Sequence, residues 1–136
     1  MRMSGRTDAR KCGENMIKIE AIVREEKLED VKEALQKLKV QGMTVSQVMG
    51  CGTQLGYTEN IRGSKFAVNM LPKIKFEIFV PNTEWEEKVI TAITQAARTG
   101  SVGDGKIISY EIGEAVRIRT GERGIAALKE AKDKPE

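Results

Sequence analysis

The segment of the chain best suited to chemistry combines three glycines with one lysine, in the order Gly100-Ser101-Val102-Gly103-Asp104-Gly105-Lys106. Glycine permits tight turns, so several backbone N–H groups can point at one anion. Further along the chain, Arg117 and Arg119 are two residues apart, and on a strand they would project from the same face. Together these residues predict binding of a polyphosphate such as that of a nucleotide.

The same segment satisfies the first part of the P-loop pattern, G-x-x-x-x-G-K. The next residue, however, is Ile107, where a P-loop has the Ser or Thr that holds magnesium. The order of elements is also reversed, because a helical pattern precedes the glycines and a strand-like run follows them. We therefore reject a P-loop. Two interpretations remain, an anion-binding nest and an ordinary glycine-rich turn.

Composition narrows the class of protein. The chain of 136 residues is expected to form one domain, and its lack of histidine excludes His-based acid–base catalysis and most zinc sites. Two cysteines are too few for a disulfide framework. A net charge of +3 with scattered basic residues gives no case for nucleic acid as a partner. Without a signal peptide or an apolar run of membrane-spanning length, the sequence predicts a cytoplasmic protein.

Hydrophobic patterning predicts the order β-α-β-β-α-β. Apolar residues alternate in the strands and recur at helical spacing in the helices, over residues 17–21, 28–38, 43–49, 74–78, 84–97 and 106–112. This order predicts an α+β fold of the ferredoxin-like, split βαβ type, with both helices on one sheet face. The other face of the sheet must also be covered, and we expect other copies of the chain to pack on it in a homo-oligomer.

Polarity divides the chain into three parts. We predict a flexible N-terminal extension over residues 1–15, a compact domain over 16–126 and a charged tail over 127–136 that begins as a short exposed helix. Within the domain, the connection at residues 50–71 is much longer than a hairpin requires. Long loops in compact domains usually contact a ligand or partner, and a tolerated insertion is the alternative.

These features resemble the PII signal-transduction proteins, in particular the GlnK-like members of bacteria. The resemblance runs from Met16 to about Glu122, with matching segments at 42–45, 50–54, 62–63, 71–75, 99–106 and 117–122. The last two, which contain the glycine segment and Arg117-Ile118-Arg119-Thr120-Gly121-Glu122, are the most specific. The long connection stands where the family has its T-loop.

The resemblance implies a homotrimer that binds ATP or ADP in clefts between subunits. The positions that match nucleotide contacts are Ile22, Thr44, Gly50, Gly52, Glu77, Phe79, Gly103, Asp104, Gly105, Lys106, Arg117 and Arg119. It also implies 2-oxoglutarate bound beside Mg2+ on the ATP. Gln54 matches the metal ligand and effector contact, and the other effector positions are Gly52, Leu55, Gly56 and Lys73.

The resemblance also implies that residues of the T-loop contact partner proteins. Arg62 matches the arginine that family members insert into an ammonium channel, and Ser64 matches a serine that some members phosphorylate. Phe66 replaces the tyrosine that many relatives uridylylate. The expected function is a nitrogen, carbon and energy sensor, not an enzyme, that regulates an ammonium channel or a nitrogen-metabolism enzyme and meets the membrane only through such a channel. The alternative is a PII-like trimer with a different effector and partner.

Overall fold

The computed structural model describes residues 15–40, 42–53 and 68–129. Its elements follow the predicted order. They are β1 (Ile17–Arg24), a short 3-10 turn (Glu25–Lys27), α1 (Leu28–Lys37), β2 (Met43–Thr53), β3 (Val68–Val80), α2 (Thr83–Ala97), β4 (Lys106–Glu111) and a short helix α3 (Ile125–Leu128).

The four strands form one antiparallel sheet in the order β2-β3-β1-β4. This is the strand order of the ferredoxin-like fold, so the predicted α+β fold is confirmed. In β1 every second residue is buried, beginning with Ile17, while Lys18 and Glu20 lie on the other face. Such alternation is typical of an antiparallel sheet with one covered face. The charged side chains of β1 therefore mark a face that the helices leave open.

Both helices pack on the same side of the sheet, as predicted. Val31 and Leu35 of α1 and Val89 and Ile93 of α2 are fully buried against Phe76 of β3. The start of α2 is fixed by a side-chain cap, in which the Asn82 side chain accepts a hydrogen bond from the Trp85 N–H at 2.9 Å. This core holds the sheet rigid and leaves its second face for other contacts.

The hairpin between β2 and β3 is longer than the sequence predicts. Residues 50–53 and 68–71, which were predicted to lie in the loop, are paired as strand, with Gly50 opposite Leu71 and Thr53 opposite Val68. The glycines and Pro72 indicated a loop. The last pair between β1 and β3 is Arg24 with Lys73, so at Pro72 the strand β3 has β2 as its only described neighbour. Proline is tolerated at such edge positions.

Other predictions fall partly or wholly outside the described residues. These are the extension at 1–14, most of the tail, and the loop positions Gln54, Leu55, Gly56, Arg62 and Ser64. The short helix α3 begins at Ile125, two residues before the predicted tail and directly after Gly124 with its positive φ of 70°. None of the helices in the described ranges has the length and apolar character needed to span a bilayer.

Candidate functional site

The open face of the sheet carries most of the predicted site residues. Thr44 lies directly opposite Glu77, and Ile22 lies directly opposite Lys106. The glycine segment leads into β4 at this face, so Lys106 is its last residue and the first of the strand. The ladder of strand pairs therefore places residues from four separate parts of the sequence on one surface.

The connection between α2 and β4, residues 98–105, will be called the glycine loop. Gly100, Gly103 and Gly105 all have positive φ, at 93°, 106° and 101°. At Gly105 the loop also passes so close to β1 that a Cβ atom would overlap the carbonyl oxygen of Ile22. Glycine is therefore required at this position by space as well as by conformation.

Asp104 holds the first half of the glycine loop together. Its carboxylate accepts hydrogen bonds from the Thr99 N–H at 2.8 Å, the Thr99 hydroxyl at 2.5 Å and the Gly100 N–H at 2.8 Å. It also forms an ion pair with Arg24, with 2.9 Å between Oδ1 and Nε. The Thr99 hydrogen bonds, then Arg24 and the Gly100 N–H, hold the pKa of Asp104 well below its ordinary value. The charged carboxylate thus shapes the loop from within.

Two cations hold the second half of the loop. Arg24 donates from Nη2 to the Val102 carbonyl, and Lys73 donates from Nζ to the Gly103 carbonyl, both at 2.8 Å. Gly50 lies beside Lys73, where a Cβ atom would come within 3.0 Å of the lysine Cγ. Sequence reasoning did not identify Arg24. Its position two residues after Ile22, on the same face of β1, was the available signal.

Arg117 and Arg119 follow β4 in the chain and belong to a different segment from the glycine loop. On a strand, Arg117 and Arg119 would project from the same face, but residues 118–120 form a turn, which a hydrogen bond of 2.8 Å from the Gly121 N–H to the Arg117 carbonyl closes. Because Gly121 has a φ of 78°, the chain reverses here, so the condition for a shared strand face is not met. Arg119 lies exposed in this turn.

The Arg117 side chain is engaged by the C-terminal part of its own chain. It donates from Nε to the Glu122 carboxylate at 2.9 Å, and from Nη2 to the carbonyls of Ala126 and Lys129. Together with Phe79 it lines a cavity of about 650 Å3 between the end of β3 and α3. The walls of this cavity are mostly apolar, and Lys39 and Lys129 line it together with the forked guanidinium of Arg117.

Within one protomer the predicted residues thus form two groups at opposite ends of the open face. The loop side contains Ile22, Gly50, Lys73, Lys106 and the glycine loop, the cavity side contains Phe79 and Arg117, and the Thr44–Glu77 pair lies between them. Lys73 and Phe79 are six positions apart on β3, which corresponds to about 20 Å of extended strand. Arg117, which shares the cavity with Phe79, therefore cannot meet the glycine loop of the same protomer.

A network of charges connects the two groups across the sheet. Lys18 pairs with Glu20 at 3.2 Å and with Glu77 at 3.6 Å, and Lys75 pairs with Glu77 at 3.2 Å. The Tyr110 hydroxyl donates to Glu20 at 2.9 Å. Hydrogen bonding to Tyr110 and then Lys18 lowers the pKa of Glu20, and the Glu20 hydrogen bond raises the pKa of Lys18. These contacts fix the orientation of Glu77 among its neighbours.

Comparison with known proteins agrees with this architecture. The family model described as nitrogen regulatory protein P-II matches residues 16–122. The nitrogen regulatory protein P-II of Rhodospirillum rubrum is 52% identical over 113 residues, which are 83% of this chain and 100% of that protein. The chain therefore belongs to the nitrogen regulatory protein P-II family.

Solved structures support the same conclusion. B. subtilis GlnK, determined as a complex with ATP, superposes with a TM-score of 0.71 at 35% identity and covers 85% of this chain and 97% of its own. Arabidopsis thaliana PII, determined with bound citrate, gives a TM-score of 0.65 at 38% identity, over 83% of this chain and 92% of its own. Both relatives are described with a bound anion, a nucleotide in one and a small carboxylate in the other.

Proposed function

We propose that this protein is a nitrogen, carbon and energy sensor that binds ATP or ADP competitively and responds to 2-oxoglutarate. The observation that carries the proposal is the glycine loop, in which three residues of positive φ lead directly into Lys106 at the open sheet face. Such a loop offers backbone N–H groups and one cation to phosphates. The ATP complex of the B. subtilis relative supports a nucleotide as the ligand of this anion site.

A complete nucleotide site requires a second copy of the chain. The loop side supplies phosphate donors, while the cavity side supplies Phe79 for the base and Arg117 with Arg119 as forked cations. If the cavity side of one subunit lies against the loop side of the next, both sets of contacts face the same nucleotide. The exposed Ile108 and Tyr110 of β4 give this face apolar surface to bury on assembly. A homotrimer with three such clefts is the proposed state.

The effector site lies next to the phosphates. 2-Oxoglutarate carries two carboxylates, and Lys73 at the base of the T-loop supplies a cation for one of them. Mg2+ enters with the nucleotide phosphates, which are its usual ligands, and Gln54 completes its coordination. Gly52, Leu55 and Gly56 supply the remaining effector contacts. The citrate bound to the Arabidopsis relative is also a small polycarboxylate and supports this ligand class.

The output is a change in the T-loop rather than a chemical reaction, so the protein is a regulator and not an enzyme. Each ligand shifts the loop only by as much as it prefers one loop state over another. Arg62 contacts the partner, an ammonium channel or a nitrogen-metabolism enzyme, and Ser64 is a candidate modification site. The proposal places the protein in the cytoplasm, in contact with the membrane only through such a channel.

Calorimetry tests the ligand assignments. ATP with Mg2+ should bind the parent protein, and 2-oxoglutarate should bind only when ATP and Mg2+ are present. Gln54→Ala should abolish 2-oxoglutarate binding but spare ADP binding, because only the ATP–Mg2+ complex uses the Gln54 side chain. Binding of 2-oxoglutarate without nucleotide, or its survival in Gln54→Ala, would show that the effector site is wrong.

A further inference from the structure

Two like charges lie side by side at the ends of β1 and β3. Arg24 and Lys73 are direct cross-strand partners, an arrangement that destabilises a sheet unless other groups compensate the charges. Arg24 is compensated by the Asp104 carboxylate and by the Val102 carbonyl, and Lys73 is compensated by the Gly103 carbonyl. The loop carbonyls are consecutive, so the two cations hold two neighbouring peptide groups.

Because a peptide group is planar, each hydrogen bond to a loop carbonyl also fixes the direction of the N–H that follows it. In a trans peptide the C=O and the following N–H point in opposite directions. When Arg24 holds the Val102 carbonyl, the Gly103 N–H points away from the guanidinium. When Lys73 holds the Gly103 carbonyl, the Asp104 N–H likewise points away from the ammonium. Two successive N–H groups are thereby presented away from the cations, as in a backbone anion nest.

Other contacts of the loop fit the same arrangement. The Asp104 carboxylate, which would repel an incoming phosphate, is turned back onto Thr99, Gly100 and Arg24. Gly103 has a φ of 106°, and a Cβ atom on it would lie 3.2 Å from Arg24 Nη2. The guanidinium thus lies directly under the glycine whose amide it orients.

We propose that Arg24 and Lys73 are positioning residues of the phosphate site, which orient the amides of Gly103 and Asp104 toward the nucleotide phosphates before the nucleotide arrives. The proposal rests on the proposed nucleotide function and adds a role to Lys73 beyond holding the effector. Preorganisation of this kind strengthens binding because the ligand does not have to order the loop.

Three methionine variants test the proposal in the assembled protein without 2-oxoglutarate. Lys73→Met and Arg24→Met keep the apolar stem but remove the donor to the loop. Lys32→Met is the control, since Lys32 lies on α1, on the opposite side of the sheet from the open face, and pairs with Glu29 at 3.2 Å. Calorimetry with ATP and with ADP should show binding weakened ~10-fold by each loop variant, while Lys32→Met stays within about twofold of the parent.

A second readout reports the loop directly. In the ligand-free protein, the amide NMR signals of Gly103 and Asp104 should shift or broaden in Lys73→Met and stay unchanged in Lys32→Met. Lys73→Arg, which restores a donor, should recover most of the affinity. Parent-like ATP affinity in Lys73→Met, or equal losses in Lys73→Met and Lys32→Met, would overturn the proposal. Failure of the parent to bind ATP would overturn the proposed function and this proposal with it.

Discussion

Asp104 shows how one partly buried carboxylate fixes the shape of the glycine loop. It joins Thr99 and Gly100, at the end of α2, to Arg24, which is 80 residues away in the sequence. Charged hydrogen bonds of this kind stabilise the ionised form, and they lower the pKa of Asp104. The folded loop and the charge of this side chain are therefore linked.

This linkage predicts a dependence of stability on pH. Because the pKa is lowered on folding, the stabilisation is fully present above the unfolded pKa of about 3.9 and is lost as the pH falls through the folded value. The free energy of unfolding of Asp104→Asn should thus lie below that of the parent by a constant amount above about pH 5, and the gap should close in more acidic solution. Denaturant titrations of both proteins between neutral and acid pH measure this difference in unfolding free energy.

Asp30→Asn is the control for this experiment, because Asp30 makes a surface ion pair with Lys27 at 3.6 Å on a half-exposed side chain. Exposed pairs contribute little, so Asp30→Asn should stay close to the parent throughout. A gap for Asp104→Asn that persists or widens in acid would contradict the proposed role of its charge.

At the scale of elements, the junction between the glycine loop and β4 depends on the absence of one side chain. Gly105→Ala should cost more than backbone strain alone, because its Cβ would overlap the Ile22 carbonyl and separate β1 from the loop. Gly100→Ala is the matched control, with a φ of 93° but open space around it, and should cost about 1–3 kcal/mol of unfolding free energy. Urea unfolding of the two variants compares their losses of unfolding free energy. Equal losses would contradict a close approach of Gly105 to the Ile22 carbonyl.

The elements themselves were largely predictable from local pattern. Alternation around Ile19 and Phe76 and helical spacing around Val31 and Val89 predicted the sheet, the helices and the covered face, because burial of one face imposes those periods. The strand ends at Gly50 and Leu71 were not predicted. Their pairing comes from the register of the neighbouring strand rather than from their own propensity.

The site was predictable where its residues are local and not where they depend on the fold. The glycine loop was recognised because glycines and Lys106 are adjacent in sequence. Arg24 was missed because its partner Asp104 is distant in the chain. The turn at Arg117 was missed because Thr120-Gly121 reverses a segment whose spacing suits a strand.

At the scale of the whole molecule, the two sides of the proposed nucleotide site lie too far apart in one protomer to hold the same ligand. The glycine loop and Lys106 face one end of the open sheet surface, while Phe79 and Arg117 line a cavity at the other. Assembly is therefore part of the binding site in the proposed function. An oligomer that buries this face would create the sites and the interface together.

A mixing experiment tests this central claim most directly. Lys106→Ala removes a phosphate contact on the loop side, and Arg117→Ala removes one on the cavity side, so each variant alone should bind ATP weakly in calorimetry. Arg119→Ala replaces Arg117→Ala if light scattering shows that the latter does not assemble as the parent does. In a closed trimer containing both variants, one cleft joins the intact loop side of one subunit to the intact cavity side of another.

Co-expressed mixtures should therefore regain one ATP site per mixed trimer with affinity close to that of the parent. Mixtures that bind no better than the separate variants would contradict a site shared between subunits.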